Sequence, residues 1–185
     1  TPQPGVGEVL IRVVANTICG TDLRIAKGTK TKGVIAPRVL GHEVAAIVEE
    51  VGEGVTEYAA GDHVGLCPTY SCGHCVECQK GRAHLCEEAL VLGHQTDGGL
   101  ADYVLIPRQA VLSGVLVRHS GRHHATSICL AEPLSCVIHG QDFLSIGIGD
   151  TVVIIGGGAI GLMHSPVAKI SGAERVLLRD PNEFR

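Results

Sequence analysis

The chain has 185 residues, 45% of them hydrophobic and 18% charged, with a formal net charge of -4. This is globular composition, enough for one large domain or one and a piece. Its mild acidity argues against nucleic-acid binding, which concentrates Lys and Arg on a basic face, and no run approaches the ~18 apolar residues of a membrane span.

The opening, Thr1-Pro2-Gln3-Pro4-Gly5, has neither an initiator Met nor the basic-then-apolar pattern of a signal peptide. It reads as the inside of a longer, cytoplasmic polypeptide. Val9 to Val14 and Glu43 to Val51 are patterned as strands, and Ala101 to Ile106 is another, stopped by Pro107. Gly52-Glu53-Gly54 and Gly61-Asp62 are turns between them. Several short strands separated by glycine turns predict an antiparallel barrel or sandwich.

Eight cysteines occur, four of them within fifteen residues: Cys72-x2-Cys75-x2-Cys78-x7-Cys86. In a long chain without an export signal this pattern favours a metal over disulfides. A tetrahedral zinc needs four thiolates about 2.3 Å away, and short Cys-x2-Cys steps let one loop supply them. An iron–sulfur cluster is the rival reading, but ferredoxin motifs continue with x3-Cys-Pro, which is absent here. Four protein ligands leave no open position, so such a zinc is structural.

Ser113 to Ser127 has no clear period and reads as a connecting loop. The pattern then changes. Leu130 to Leu144 predicts a helix with Pro133 near its start, where a missing N–H costs little. Thr151 to Ile155 is an apolar strand, followed by a glycine turn, a helix and a short strand at Val176 to Leu178. That order is a βαβ unit and implies a parallel sheet. Only one such unit fits before Arg185, so the nucleotide-binding domain reads as cut short. The turn Gly156-Gly157-Gly158-Ala159-Ile160-Gly161 matches GxGxxG in the right context, where backbone and helix N-terminus take a pyrophosphate. Asp180, nineteen residues after Gly161, stands where an acid binds the ribose 2′-OH and favours NAD over NADP, although Arg179 is adjacent.

A catalytic zinc needs about three protein ligands and a free position. Candidates are Cys19 in Cys19-Gly20-Thr21-Asp22, His42 and Glu43 in Gly41-His42-Glu43, and Glu132 in Glu132-Pro133-Leu134. Singly, each has an ordinary structural reading.

Together with the four-cysteine segment, Gly61-Asp62-His63-Val64 and the glycine turn, these motifs occur in an order that resembles the zinc-containing medium-chain alcohol dehydrogenases, in their polyol or threonine dehydrogenase-like branches. The resemblance implies a GroES-like β-barrel catalytic domain over residues 1–138 and the first part of a Rossmann-type NAD-binding domain over 139–185. It implies two zincs per full-length chain: one held by Cys72, Cys75, Cys78 and Cys86, the other by Cys19, His42 and Glu132 with Glu43 as ligand or close neighbour. Thr21 resembles the hydroxyl that relays the alcohol proton, although a turn threonine bonding its own backbone looks the same. Asp22 resembles the carboxylate that orients His42. Gly156, Gly158, Ala159, Ile160, Gly161, Asp180 and Arg185 would hold the dinucleotide. Cys67, Cys129 and Cys136 would be packing residues.

The implied activity is hydride transfer from a polyol-like secondary alcohol to NAD, in a homo-oligomer, dimer or tetramer, without nucleic-acid or membrane partners. L-threonine 3-dehydrogenase-like activity is the alternative, and a zinc or iron–sulfur binding module without enzymatic activity is the alternative from another class. The 185-residue chain alone is expected to be inactive. Three features depart from the family pattern: Ala46 where a glycine is usual, Pro166 inside the second helix, and the 113–127 segment.

Overall fold

The computed structural model describes residues 1–184. Contacts divide the chain into two compact units, one of residues Thr1–Ala131 and one from Glu132 onward. The first holds β1 (Val9–Thr17), α1 (Gly20–Ala26), β2 (Glu43–Val51), β3 (His63–Leu66), β4 (Thr69–Tyr70) and α2 (Val76–Gln79). After a 3-10 turn at Ala83–Leu85 come β5 (Leu90–Val91), β6 (Tyr103–Ile106), α3 (Arg108–Leu112), β7 (Leu116–Arg118) and α4 (Ala125–Cys129).

Five strands form one antiparallel sheet in the order β6-β1-β2-β3-β7, and β4 and β5 pair separately. The edges β6 and β7 are not paired with each other among the described residues. The expected barrel is therefore not closed by hydrogen bonds. β1 lies between β6 and β2, and its Val9, Leu10 and Ile11 are all buried instead of alternating. Its register with β2 shifts between Leu10 and Ile11 and again between Val13 and Ala15. Such bulges bend a strand and re-aim its side chains; the second leaves Val14 unpaired with β2 and exposed. The core gathers Val9, Ile11, Val44, Val48, Val64, Val104 and Ile106 from the sheet with Leu92 and Val115 from its connections. Each such side chain, fully buried, contributes about 1.5–3 kcal/mol. Ala46 is 3% exposed within this core, so the methyl that departs from the family pattern is packed.

The 113–127 segment is more than a loop. Leu116–Arg118 pairs with β3 and forms the sheet's edge, and α4 begins at Ala125. Three residues are too few to show a period in sequence; pairing with β3 makes them a strand. Cys129 is buried as expected, whereas Cys67 and Cys136 are exposed and pack no core.

In the second unit, α5 (Ala131–Asp142) matches the predicted helix, with Pro133 at its third position. β8 (Thr151–Ile155) and β9 (Arg175–Arg179) pair in parallel, joined through α6 (Ala159–Ile170). Gly161 lets α6 approach the turn: a Cβ there would lie 1.8 Å from the Gly156 carbonyl oxygen. No helix among the described residues is long and apolar enough to cross a membrane.

α6 runs unbroken through Pro166, whose side chain is exposed. Proline at this interior position leaves the Leu162 carbonyl without its helical donor. Pro166→Ala restores that bond without removing buried surface, and is expected to stabilise this unit by up to about 3 kcal/mol. Thermal melting followed by circular dichroism checks it; an unchanged or lowered midpoint refutes it.

Candidate functional site

Two places in the first unit gather metal-ligating side chains. Cys19 is the N-cap of α1: its Sγ accepts from the Thr21 N–H at 3.5 Å, and Asp22 accepts from the Cys19 N–H at 2.9 Å. The other Asp22 oxygen accepts from the Gly41 N–H at 3.1 Å and stands 3.4 Å from His42 Nδ1. That approach is electrostatic, since its geometry does not make a hydrogen bond and Nδ1 is otherwise a buried atom without a partner. Gly41 adopts φ +94°, and a Cβ there would meet the Leu100 backbone nitrogen at 2.8 Å, so only glycine fits where the chain turns into His42. Glu43 opens β2 opposite Thr17 of β1, and the Thr17 hydroxyl donates to its carboxylate.

These constraints bring one ligand atom from each of Cys19, His42 and Glu43 within 4.8 Å of one another, with His42 and Glu43 buried. One thiolate, one imidazole and one carboxylate form a donor set that zinc accepts. The buried Nε2 of His94, whose ring packs against His42, has no hydrogen-bond partner, and a cation beside the cluster is compatible with that. Burial, then the neighbouring His42, push the His94 imidazole below its ordinary range and keep it neutral. The residues present fit the metal. Glu132 begins the second unit, where a carboxylate oxygen lies 4.0 Å from Cys136 Sγ.

The second place is the four-cysteine segment. Its sulfurs stand 3.5 Å apart for Cys75–Cys78, 3.6 Å for Cys86–Cys72 and 3.9 Å for Cys72–Cys78. Four sulfurs bonded to one zinc at ~2.3 Å would form a tetrahedron with edges of about 3.8 Å. The spacing is too long for a disulfide and suits one shared ion. An iron–sulfur cluster spreads its cysteines over different irons, so the compact group disfavours that rival. The cluster fits a structural zinc. The Cys78 thiol is lowered to about 6, first by a hydrogen bond from the Ser71 hydroxyl, against a smaller effect of desolvation.

In the second unit, Gly156 takes φ +109° and Gly158 caps α6, with Ala159, Ile160 and Gly161 in its first turn. Asp180, at the end of β9, comes back to this turn: its carboxylate accepts from the Gly157 N–H at 2.7 Å and from the Asn182 N–H at 2.8 Å. Arg185 lies outside the described residues.

Three neighbours escape the sequence reading. Thr17 holds Glu43, Ser71 holds Cys78, and His94 packs edge-on to His42 with ring centroids 5.4 Å apart. Ser71 adjoins a motif cysteine and could have been suspected. Thr17 and His94 carry no local signal, because strand register and loop return bring them in.

Because Asp22 touches both segments of the first place, Asp22→Asn is expected to weaken zinc there about 10–100-fold. The four-cysteine zinc should be unaffected. Competition with a chromophoric chelator measures both; equal affinity at both places in the variant and the parent refutes it.

Residues 5–115 match the alcohol dehydrogenase GroES-like domain family. The L-threonine 3-dehydrogenase of Pyrococcus furiosus is 39% identical over 188 residues, covering 100% of this chain and 52% of that protein. The L-threonine 3-dehydrogenase of Bacillus subtilis is 36% identical over 186 residues, covering 100% and 52%. Among solved structures, a zinc-binding dehydrogenase from Sinorhizobium meliloti bound to NADP superimposes with TM-score 0.90 at 37% identity, covering 99% of this chain and 52% of that one. Galactitol-1-phosphate dehydrogenase from Escherichia coli does so with TM-score 0.88 at 27% identity, covering 100% and 51%. The chain spans about half the length of the curated relatives it matches. With the GroES-like match over most of its length and these dehydrogenases along all of it, the chain belongs to the zinc-containing medium-chain alcohol dehydrogenase family.

Proposed function

We propose that the protein bearing this chain oxidises the secondary alcohol of a small substrate and passes a hydride to NAD, with L-threonine the leading substrate and polyols second. The observation that carries the reading is the convergence of Cys19, His42 and Glu43 within 4.8 Å. The order of substrates follows the curated relatives, which are L-threonine 3-dehydrogenases at 36–39% identity, against 27% for the galactitol-1-phosphate enzyme. It reverses the preference drawn from the sequence, which put polyol-like alcohols first and L-threonine second.

Zinc held by these residues supplies a Lewis acid that lowers the pKa of a bound alcohol. Asp22 fixes the ligand segments through the Cys19 and Gly41 amides, and its carboxylate stands 3.4 Å from His42 Nδ1, where it orients the ring. Thr21 is half-buried, and its hydroxyl accepts from Arg24 at 3.3 Å. It is the group from which the alcohol proton passes toward solvent. A ligand role for Glu132 rests on the family resemblance alone. In the second unit, Gly156 to Gly161 takes the pyrophosphate at the start of α6, and Asp180 selects NAD by repelling a 2′-phosphate. The Sinorhizobium relative is bound to NADP, so the coenzyme needs its own test.

Zinc counting and kinetics at the polypeptide's natural length test the reading. Cys19→Ala should lose one zinc and all turnover while keeping its circular dichroism spectrum. The parent should use L-threonine with NAD at a higher kcat/KM than sorbitol or galactitol, and should prefer NAD to NADP. Undiminished zinc in the variant, or no reduction of either coenzyme by any of these alcohols, overturns it.

A further inference from the structure

The four-cysteine lobe contains a second set of donors. Cys72, His74 and Glu88 also bring one ligand atom each within 4.8 Å of one another, and share only Cys72 with the four-thiolate group. His74 and Glu88 are exposed, so this set opens to solvent. His74 Nδ1 lies 2.9 Å from the Cys72 carbonyl oxygen. A carbonyl can only accept, so Nδ1 carries the proton and the lone pair is left on Nε2. Metal-binding histidines are held in this way, with one ring nitrogen donating to a backbone carbonyl and the other facing the ion.

We propose that the lobe binds a second, weaker divalent cation of the zinc and cadmium type through Cys72, His74 and Glu88, with the Cys72 thiolate bridging two ions. The proposal rests on the reading of the four thiolates as a zinc site. Charge and donor chemistry support it. Four thiolates around one divalent ion leave a net charge of about -2, which attracts a further cation. A thiolate has more than one lone pair, so Cys72 can bond outward while it keeps the inner ion. Sulfur, imidazole nitrogen and carboxylate oxygen are all zinc donors, and water completes the coordination on the open side. The Gly73 turn, at φ +79°, sets His74 beside Cys72. The second site fills only when metal is in excess, and it gives incoming ions a solvent-facing place next to the thiolates.

The probe is cadmium-113, added in excess to the chain carrying Cys19→Ala, which removes the other candidate centre. Two cadmium resonances are expected, one from an all-thiolate environment and one from a mixed sulfur, nitrogen and oxygen environment. Coupling between them through the Cys72 sulfur is the signature of the bridge. Adding His74→Ala and Glu88→Gln should remove only the mixed-donor resonance. In zinc competition against a chromophoric chelator, the same changes should weaken the second ion at least tenfold and leave the first alone. An all-thiolate resonance without a companion, or a companion that is uncoupled or survives both substitutions, overturns the second site. Absence of the all-thiolate resonance overturns the structural-zinc reading together with it.

Discussion

A single buried carboxylate organises the candidate active site. Asp22 is 3% exposed, and a charge so placed is costly unless hydrogen bonds and a neighbouring partner compensate it. The Cys19 and Gly41 amides donate to its two oxygens, and His42 stands beside one of them. Asp22 thereby joins the start of α1 to the segment entering β2, two pieces of chain separated by about twenty residues in sequence. Without that junction, Cys19 and His42 would sit on independent loops.

The β1–β2 pairing supplies the other half of the geometry. Thr17 opposes Glu43 at the end of the antiparallel ladder, so the residues just past β1 and just before β2 are brought together. Cys19 follows Thr17 by two positions, and His42 precedes Glu43 by one. The register that buries Val44, Ala46 and Val48 also places a thiol, an imidazole and a carboxylate around one point. A slip of one residue would turn the β2 side chains to the opposite face and dismantle core and site together.

The four-cysteine lobe obeys different physics. Its donors come from one short segment with little regular structure: one turn of helix, a 3-10 turn and tight bends. Such a segment buries little apolar surface; Val76 and Leu85 are exposed. In small metal lobes the binding energy of the ion is folding energy, so here a zinc would replace a hydrophobic core. This explains how the lobe can be so polar and yet bring four sulfurs to one ion's spacing.

What was legible in the sequence was what is local in the chain. The Cys-x2-Cys spacing, the strand–glycine–helix order around Gly156 and the helix at Ala131–Asp142 each reflect interactions within about fifteen residues, where residue type and spacing determine the outcome. The GroES-like assignment was also readable, because the ordered motifs together are far more specific than any one of them. Tertiary structure alone decided that Leu116–Arg118 is an edge strand, that Asp22 reaches Gly41, that Thr17 clamps Glu43, and that His94 packs on His42. Those facts depend on strand register and loop return, which the whole sheet sets by burying its apolar residues. A residue brought in from fifty positions away by the packing of others leaves no trace in its own neighbourhood of the sequence.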